Sequence, residues 1–265
     1  MANKYPFWKP FLVLSAIGLI GVLSLLWQLL PQLDQTLAAL PEAPDLPVSL
    51  LVILSLLQSA ILVLVAVAIG CLTAPRVGLV SLIYEKSAYG TEVLTRLKQH
   101  LGRAAILGLA FAVVAVLFDL MVMPFAGSEI SNINAGESGL LGQLGLGLLY
   151  GGITEELLLR WGVMSLLVWL GWKLFQRSAG KPGPILIWTC NIIAAILFGL
   201  GHLPALAAVV PLTTVLVLRT VFLNALGGVV FGWLFWRHSL EVAMVAHAFT
   251  HIGFFVIRVI AIYLL

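Results

Sequence analysis

Thr154-Glu155-Glu156-Leu157-Leu158-Leu159-Arg160 decides how this chain is read. Two adjacent carboxylates and an arginine stand inside an apolar run from Gly139 to Phe175. An ionisable group at the centre of a bilayer costs about 2.5–3.5 kcal/mol on insertion scales. A segment that carries three must pair them, hydrate them or use them.

The flanking sequence says which solvent applies. Of the residues, 62% are hydrophobic and 9% charged, and mean hydropathy is +1.12. A soluble domain carries about 25% charged residues. The composition therefore excludes a soluble fold and predicts an all-α polytopic transmembrane bundle. Working outward from Gly139–Phe175, the apolar runs predict spans over Phe11–Leu30, Val48–Leu72, Ala104–Met123, Gly139–Phe175, Pro184–Val210, Leu212–Trp236 and Leu240–Leu265. Pro204 is expected to kink the fifth span and Pro211 to end it. Between spans two and three, Leu94, Leu97 and Leu101 recur at helical spacing beside Arg96, Lys98 and Arg103. That pattern fits a short amphipathic helix on the membrane surface or a solvated connector. Residues 1–138 read as membrane helices with this interfacial loop, and 139–265 as a catalytic membrane core, the two forming one integrated domain.

Basic residues gather at the N-terminus, over Arg76–Arg103, over Lys173–Lys181 and at Arg237. Acidic loops without Lys or Arg alternate with them. The positive-inside rule then predicts seven spans and a cytoplasmic N-terminus, and a plasma-membrane location is expected. The fourth run exceeds the ~20 residues needed to cross. A break at Gly151-Gly152 would make eight spans. The small net charge of +3 is a topology signal, with no nucleic-acid footprint. Cys71 and Cys190 both lie in apolar runs, so no disulfide framework is indicated. Lys4 and Lys9 precede a run too long for a usual signal peptide, which predicts a retained first helix.

The polar residues inside the spans form three groups. Glu155 and Glu156 lie in span four, His202 late in span five, and His247 and His251 in span seven. Positions four apart share a helix face. Glu156 and Arg160 therefore form an i, i+4 ion pair with the acid on the favourable side. His247 and His251 share a face, as do Asn191, Ala195, Phe198 and His202. Glu155 points about 100° from Glu156 and has no partner at helical spacing. A carboxylate in an apolar site is a candidate general base, histidines can hold water, and further donors can face an oxyanion. Base, water-holder and oxyanion donors are the parts of a hydrolase. No Gly-x-Ser-x-Gly or His-Glu-x-x-His motif is present. Metal binding competes. Glu155, His202, His247 and His251 supply enough donors for zinc or another divalent ion, without diagnostic spacing. No cofactor is therefore assigned outright.

Glu155-Glu156-x-x-x-Arg160, Phe198-x-x-x-His202 and the His247 motif together resemble the three motifs of the CPBP family, the CAAX proteases and bacteriocin-processing enzymes also called Rce1-type or Abi intramembrane proteases. The resemblance covers about Leu140 to Phe255. It implies an intramembrane endopeptidase that cuts a protein or lipidated peptide near the membrane surface. By the same resemblance, Glu155 activates water and His202 orients it. Glu156 and Arg160 shape the site, and His247 stabilises the oxyanion. Phe198 and Asn191 would support these groups from behind. The family usually has Asn or Asp four residues after the last histidine, where this chain has His251. A neutral histidine can still donate one hydrogen bond there, and it adds a metal ligand.

A second class of function uses the same residues. Intramembrane carboxylates and histidines also build proton relays, so a proton-coupled transporter competes, as does a bacteriocin-immunity or partner-binding scaffold. No pair of corresponding Gly/Pro-broken segments marks two halves, which weighs against the transporter. Elsewhere, Asn191 and Asn224 are expected to hydrogen-bond between helices. Gly227, Gly228 and Gly232 should let helices approach. Asp119 should sit within reach of water or headgroups at a span end, and Arg219 and Arg258 should snorkel.

Overall fold

The computed structural model describes residues 5–30, 47–126 and 139–263. The acidic loops expected around Asp34 to Asp45 and Glu129 to Glu137 lie outside them, as do Lys4 and the last two residues. Among the described residues the secondary structure is helical, with no strand. Among the described residues seven helices are long and apolar enough to cross a membrane: Trp8–Leu30, Ser49–Val77, Leu94–Phe125, Gly139–Gln176, Pro184–Ala207, Thr214–Arg237 and Leu240–Tyr263. The chain is an all-α polytopic bundle and an integral multi-pass membrane protein.

The core joins both halves of the chain. Leu14, Val63 and Val67 of spans one and two are buried in one cluster with Leu157, Trp161 and Met164 of span four and Phe231 and Phe235 of span six. The outside is apolar too, with Ile61, Ile106, Leu117, Leu120 and Ile192 exposed. In a bilayer those side chains meet lipid tails, so burial against lipid carries no penalty.

Span four does not break at Gly151-Gly152. It runs on, wound as a π-helix over Gly147–Glu155 and again over Leu157–Met164. π-Helical turns are rare and concentrate at functional sites. The glycines serve close approach instead. A Cβ on Gly151 would meet His251 Nε2 at 2.5 Å, and one on Gly152 would meet Ala248 Cβ at 3.2 Å. The same span is held to span one, where Thr154 Oγ1 donates to Gly18 O at 3.0 Å.

Two contacts independently support the single crossing. Leu240 N donates to Val80 O at 2.9 Å, and Arg103 Nη1 donates to His238 Nε2 at 3.1 Å. The turn after span six therefore shares a membrane face with the loop before span three. Between these two points lie spans three, four, five and six. An even number of crossings returns the chain to the same face, so span four crosses once.

The separate amphipathic helix at Leu94–Leu101 is not formed. Those residues are the first turns of one continuous helix, Leu94–Ala126. Nothing in Leu94–Met123 breaks a helix, and Gly102, its one glycine near the join, costs only about 1 kcal/mol. A different short helix, Leu82–Tyr89, occupies the loop. Its N-terminus is capped from span seven. Glu241 accepts from Ser81 Oγ at 2.6 Å, Leu82 N at 2.8 Å and Ile83 N at 3.0 Å. A carboxylate there answers both the unpaired N–H groups and the positive end of the helix dipole.

Arg219 does not snorkel but pairs with Asp119, which keeps an edge on the cavity. Arg219 donates to Asp119 Oδ1 through Nε at 2.7 Å and to Oδ2 through Nη2. A bidentate pair is the lower-energy answer for two part-buried charges. Asn224 bonds within its own helix, to Thr220 O at 2.9 Å. Asn191 does bridge helices, donating to Val229 O at 3.0 Å. Its amide lies where a Cβ on Gly232 would clash, with Oδ1 at 1.8 Å. Arg258 reaches Gln143 Oε1 on span four.

Candidate active site

His202 owes its position to a helix end. The helix Pro184–Gly201 stops there, and Leu203–Ala207 begins a new one with Pro204 in its first turn. Pro204 thus starts a short helix and does not kink a long one. Its ring cannot supply the N–H that would bond back one turn. His202 N bonds Gly199 O at 3.2 Å, and this leaves Phe198 O to the histidine ring. Nδ1 of His202 lies 2.8 Å from Phe198 O. A carbonyl only accepts, so Nδ1 is the donor, and in the neutral ring Nε2 carries the lone pair.

Span seven sets His247 in the same way. Its Nδ1 lies 2.9 Å from Glu156 Oε1. The same oxygen is 3.2 Å from Arg160 Nη1. The carboxylate accepts, so Nδ1 of His247 is also the donor. Glu156 and Arg160 are 0% and 2% exposed. Arg160 also lies over the rings of Phe198, at 4.7 Å, and Phe231, at 5.5 Å. Buried charges are tolerable when paired and stacked like this.

Both histidines turn Nε2 toward Glu155, and in the neutral rings that atom carries a lone pair. His202 Nε2 is 3.7 Å from Glu155 Oε1, and His247 Nε2 is 3.9 Å from Oε2. These distances exceed a direct hydrogen bond. Three acceptors from three spans face one another across a gap that a donor of two protons would bridge. They line a cavity of about 860 Å³, which Tyr150, Asp119 and Arg219 also border. Glu155, expected without a partner at helical spacing, has its neighbours on spans five and seven.

The remaining expected residues divide. Phe198 lies inside the group, its ring 4.6 Å from His202 and 6.1 Å from His247. Asn191 does not line the cavity. It lies three helical turns before His202, about 16 Å along the axis, and serves the junction with span six. His251 stacks on His247 at 5.1 Å and presses its ring on Gly147 and Gly151. The four-donor metal set of Glu155, His202, His247 and His251 does not converge for this reason. Among the described residues no group of three or more His, Cys, Asp or Glu side chains is arranged to hold a metal ion.

Residues 137–253 match the family model described as type II CAAX prenyl endopeptidase Rce1-like. This segment is similar to the Rce1-like family. The match encloses Glu155, Glu156, Arg160, His202, His247 and His251, and it agrees with the resemblance carried by the three motifs. No curated protein and no solved structure matches the chain. Sequence reasoning missed the Asp119–Arg219 pair and the Glu241 cap, each of which ties this segment to the first half of the chain. Each joins residues at least 100 positions apart, beyond any helical spacing. An apolar span that carries an unexplained Asp or Arg was the available signal.

Proposed function

We propose that this protein is an intramembrane endopeptidase of CAAX type, with residues 139–265 as its catalytic core and 1–138 as the scaffold that walls the cavity. The convergence of Glu155, His202 and His247 from three spans carries the reading. A water molecule placed between them donates one proton to Glu155 and the other to an Nε2 lone pair. Its own lone pair is then free for a scissile carbonyl. Glu155 acts as general base, and His202 orients the water. A proton that moves on to His247 Nε2 makes an imidazolium, held by Glu156 at Nδ1. That cation can face the developing oxyanion or protonate the leaving amine. In neutral form His247 offers no Nε2 donor, so the oxyanion role belongs to the protonated ring. Glu156 and Arg160 hold the tautomer and the ring.

The substrate is a membrane-associated protein or lipidated peptide. The positive-inside rule supports a cytoplasmic N-terminus. The test is cleavage of a quenched, farnesylated CAAX peptide by purified wild type and Glu155→Gln. Wild-type cleavage lost in a folded Glu155→Gln protein supports the reading. Equal cleavage by both would remove Glu155 from the chemistry. Proton-coupled uptake into proteoliposomes without cleavage would favour a transporter.

A further inference from the structure

We propose that His100, Arg103, Arg237 and His238 form a binding site for the phosphate of an anionic phospholipid headgroup. The four side chains come from two segments far apart in sequence. The His100 and His238 rings stack with centroids 4.1 Å apart and planes 31° apart. Arg103 Nη1 donates to His238 Nε2 at 3.1 Å. His100, Arg103 and Arg237 all push positive potential onto His238. Nearby, Glu241 is committed to Ser81, Leu82 and Ile83. The guanidinium charges of Arg103 and Arg237 around the stacked rings have no acid opposite them in these contacts, and an anion placed there would be attracted by both.

The position argues for a lipid. Span three is 32 residues long, or about 48 Å at 1.5 Å per residue, against a hydrocarbon core of about 30 Å. Its first turns, with His100 and Arg103, therefore stand at headgroup level. His238 lies in the turn between spans six and seven, which must be at a membrane surface. Trp233 lies 6.1 Å from His238 by ring centroids, and Arg237 lies over Trp236 at 5.4 Å. Aromatic rings of this kind mark the interface. Beyond Arg103 the same span exposes Ile106 and Val113, a surface for acyl chains. Basic pockets between membrane helices recognise lipid headgroups by this combination.

The experiment uses the full-length protein in neutral detergent micelles, with phosphatidylglycerol, phosphatidylcholine or inorganic phosphate added. Phosphatidylglycerol is expected to raise the Tm by roughly 2–4 °C over phosphatidylcholine. That rise should vanish in Arg103→Gln/Arg237→Gln and persist in Arg103→Lys/Arg237→Lys. If the double Gln variant does not fold, Arg237→Gln alone, at an exposed side chain, should at least halve the rise. Equal shifts for the two lipids, or a rise undiminished in the folded Gln variant, would overturn the proposal. A full rise with inorganic phosphate alone would overturn the lipid assignment in favour of a soluble anion.

Discussion

His247 donates its Nδ1 proton to Glu156 at 2.9 Å, and this bond fixes which nitrogen faces Glu155. The same Glu156 oxygen lies 3.2 Å from Arg160. One buried carboxylate therefore sets a tautomer on span seven and balances a cation on span four. Glu155, one position earlier, does neither and faces the cavity.

The two adjacent glutamates should fail differently. Glu156→Gln leaves Arg160 buried without its counter-charge, an effect of about 3–5 kcal/mol. Its Tm should fall and its cleavage with it. Glu155→Gln removes no hydrogen bond and should melt within about 1 kcal/mol of wild type while cleavage is lost. Thermal melts and peptide cleavage on the same preparations separate the two. Indistinguishable melts would deny Glu156 its structural role.

Much of this could be read from sequence because the information was local. Hydropathy over about twenty residues marks the spans, and the i, i+4 spacing marks the Glu156–Arg160 pair. The Glu156–His247 bond depends on how spans four and seven pack, and no spacing along the chain encodes it. The π-helical winding was hidden for a related reason. Gly151 and Gly152 look like a break in isolation, and only the ring of His251 and the residue Ala248 explain them. Leu94–Leu101 misled because a basic amphipathic turn looks the same at a helix's protruding end as on a surface helix.

Two glycines make a contrasting pair. Gly151→Ala would drive a methyl into His251, whose Nε2 lies 2.5 Å from the added carbon. Overpacking of this kind costs about 1–3 kcal/mol, and the displaced ring moves its stacked neighbour His247. Cleavage and Tm should both drop. Gly102→Ala meets nothing within 4 Å and sits inside the Leu94–Ala126 helix. It should stabilise by about 0.5–1 kcal/mol. Melts of both variants check the sign of each.

The Glu241 cap should be a stability determinant remote from the chemistry. Glu241→Gln keeps the shape and removes the charge that three donors share. A loss of about 1–3 kcal/mol is expected, with faster proteolysis in the 78–93 loop and unchanged KM. Intact protection of that loop in the variant would show that the cap does not hold the helix.

His238 should give stability a dependence on acid. Burial first, then His100, Arg103 and Arg237, lower its pKa below the ordinary histidine value. The unfolded ring titrates near 6.5. Below that pH the unfolded chain binds a proton that the folded chain resists. The neutral ring's contribution is therefore complete above about pH 6.5 and is lost as pH falls through it toward the lower folded value. The wild-type Tm should drop more between pH 7.5 and 5 than that of His238→Gln. Phosphatidylglycerol should reduce the difference, because its phosphate favours the protonated ring. Parallel pH profiles for the two proteins would show that His238 stays as easily protonated folded as unfolded, and that its basic neighbours exert no net effect.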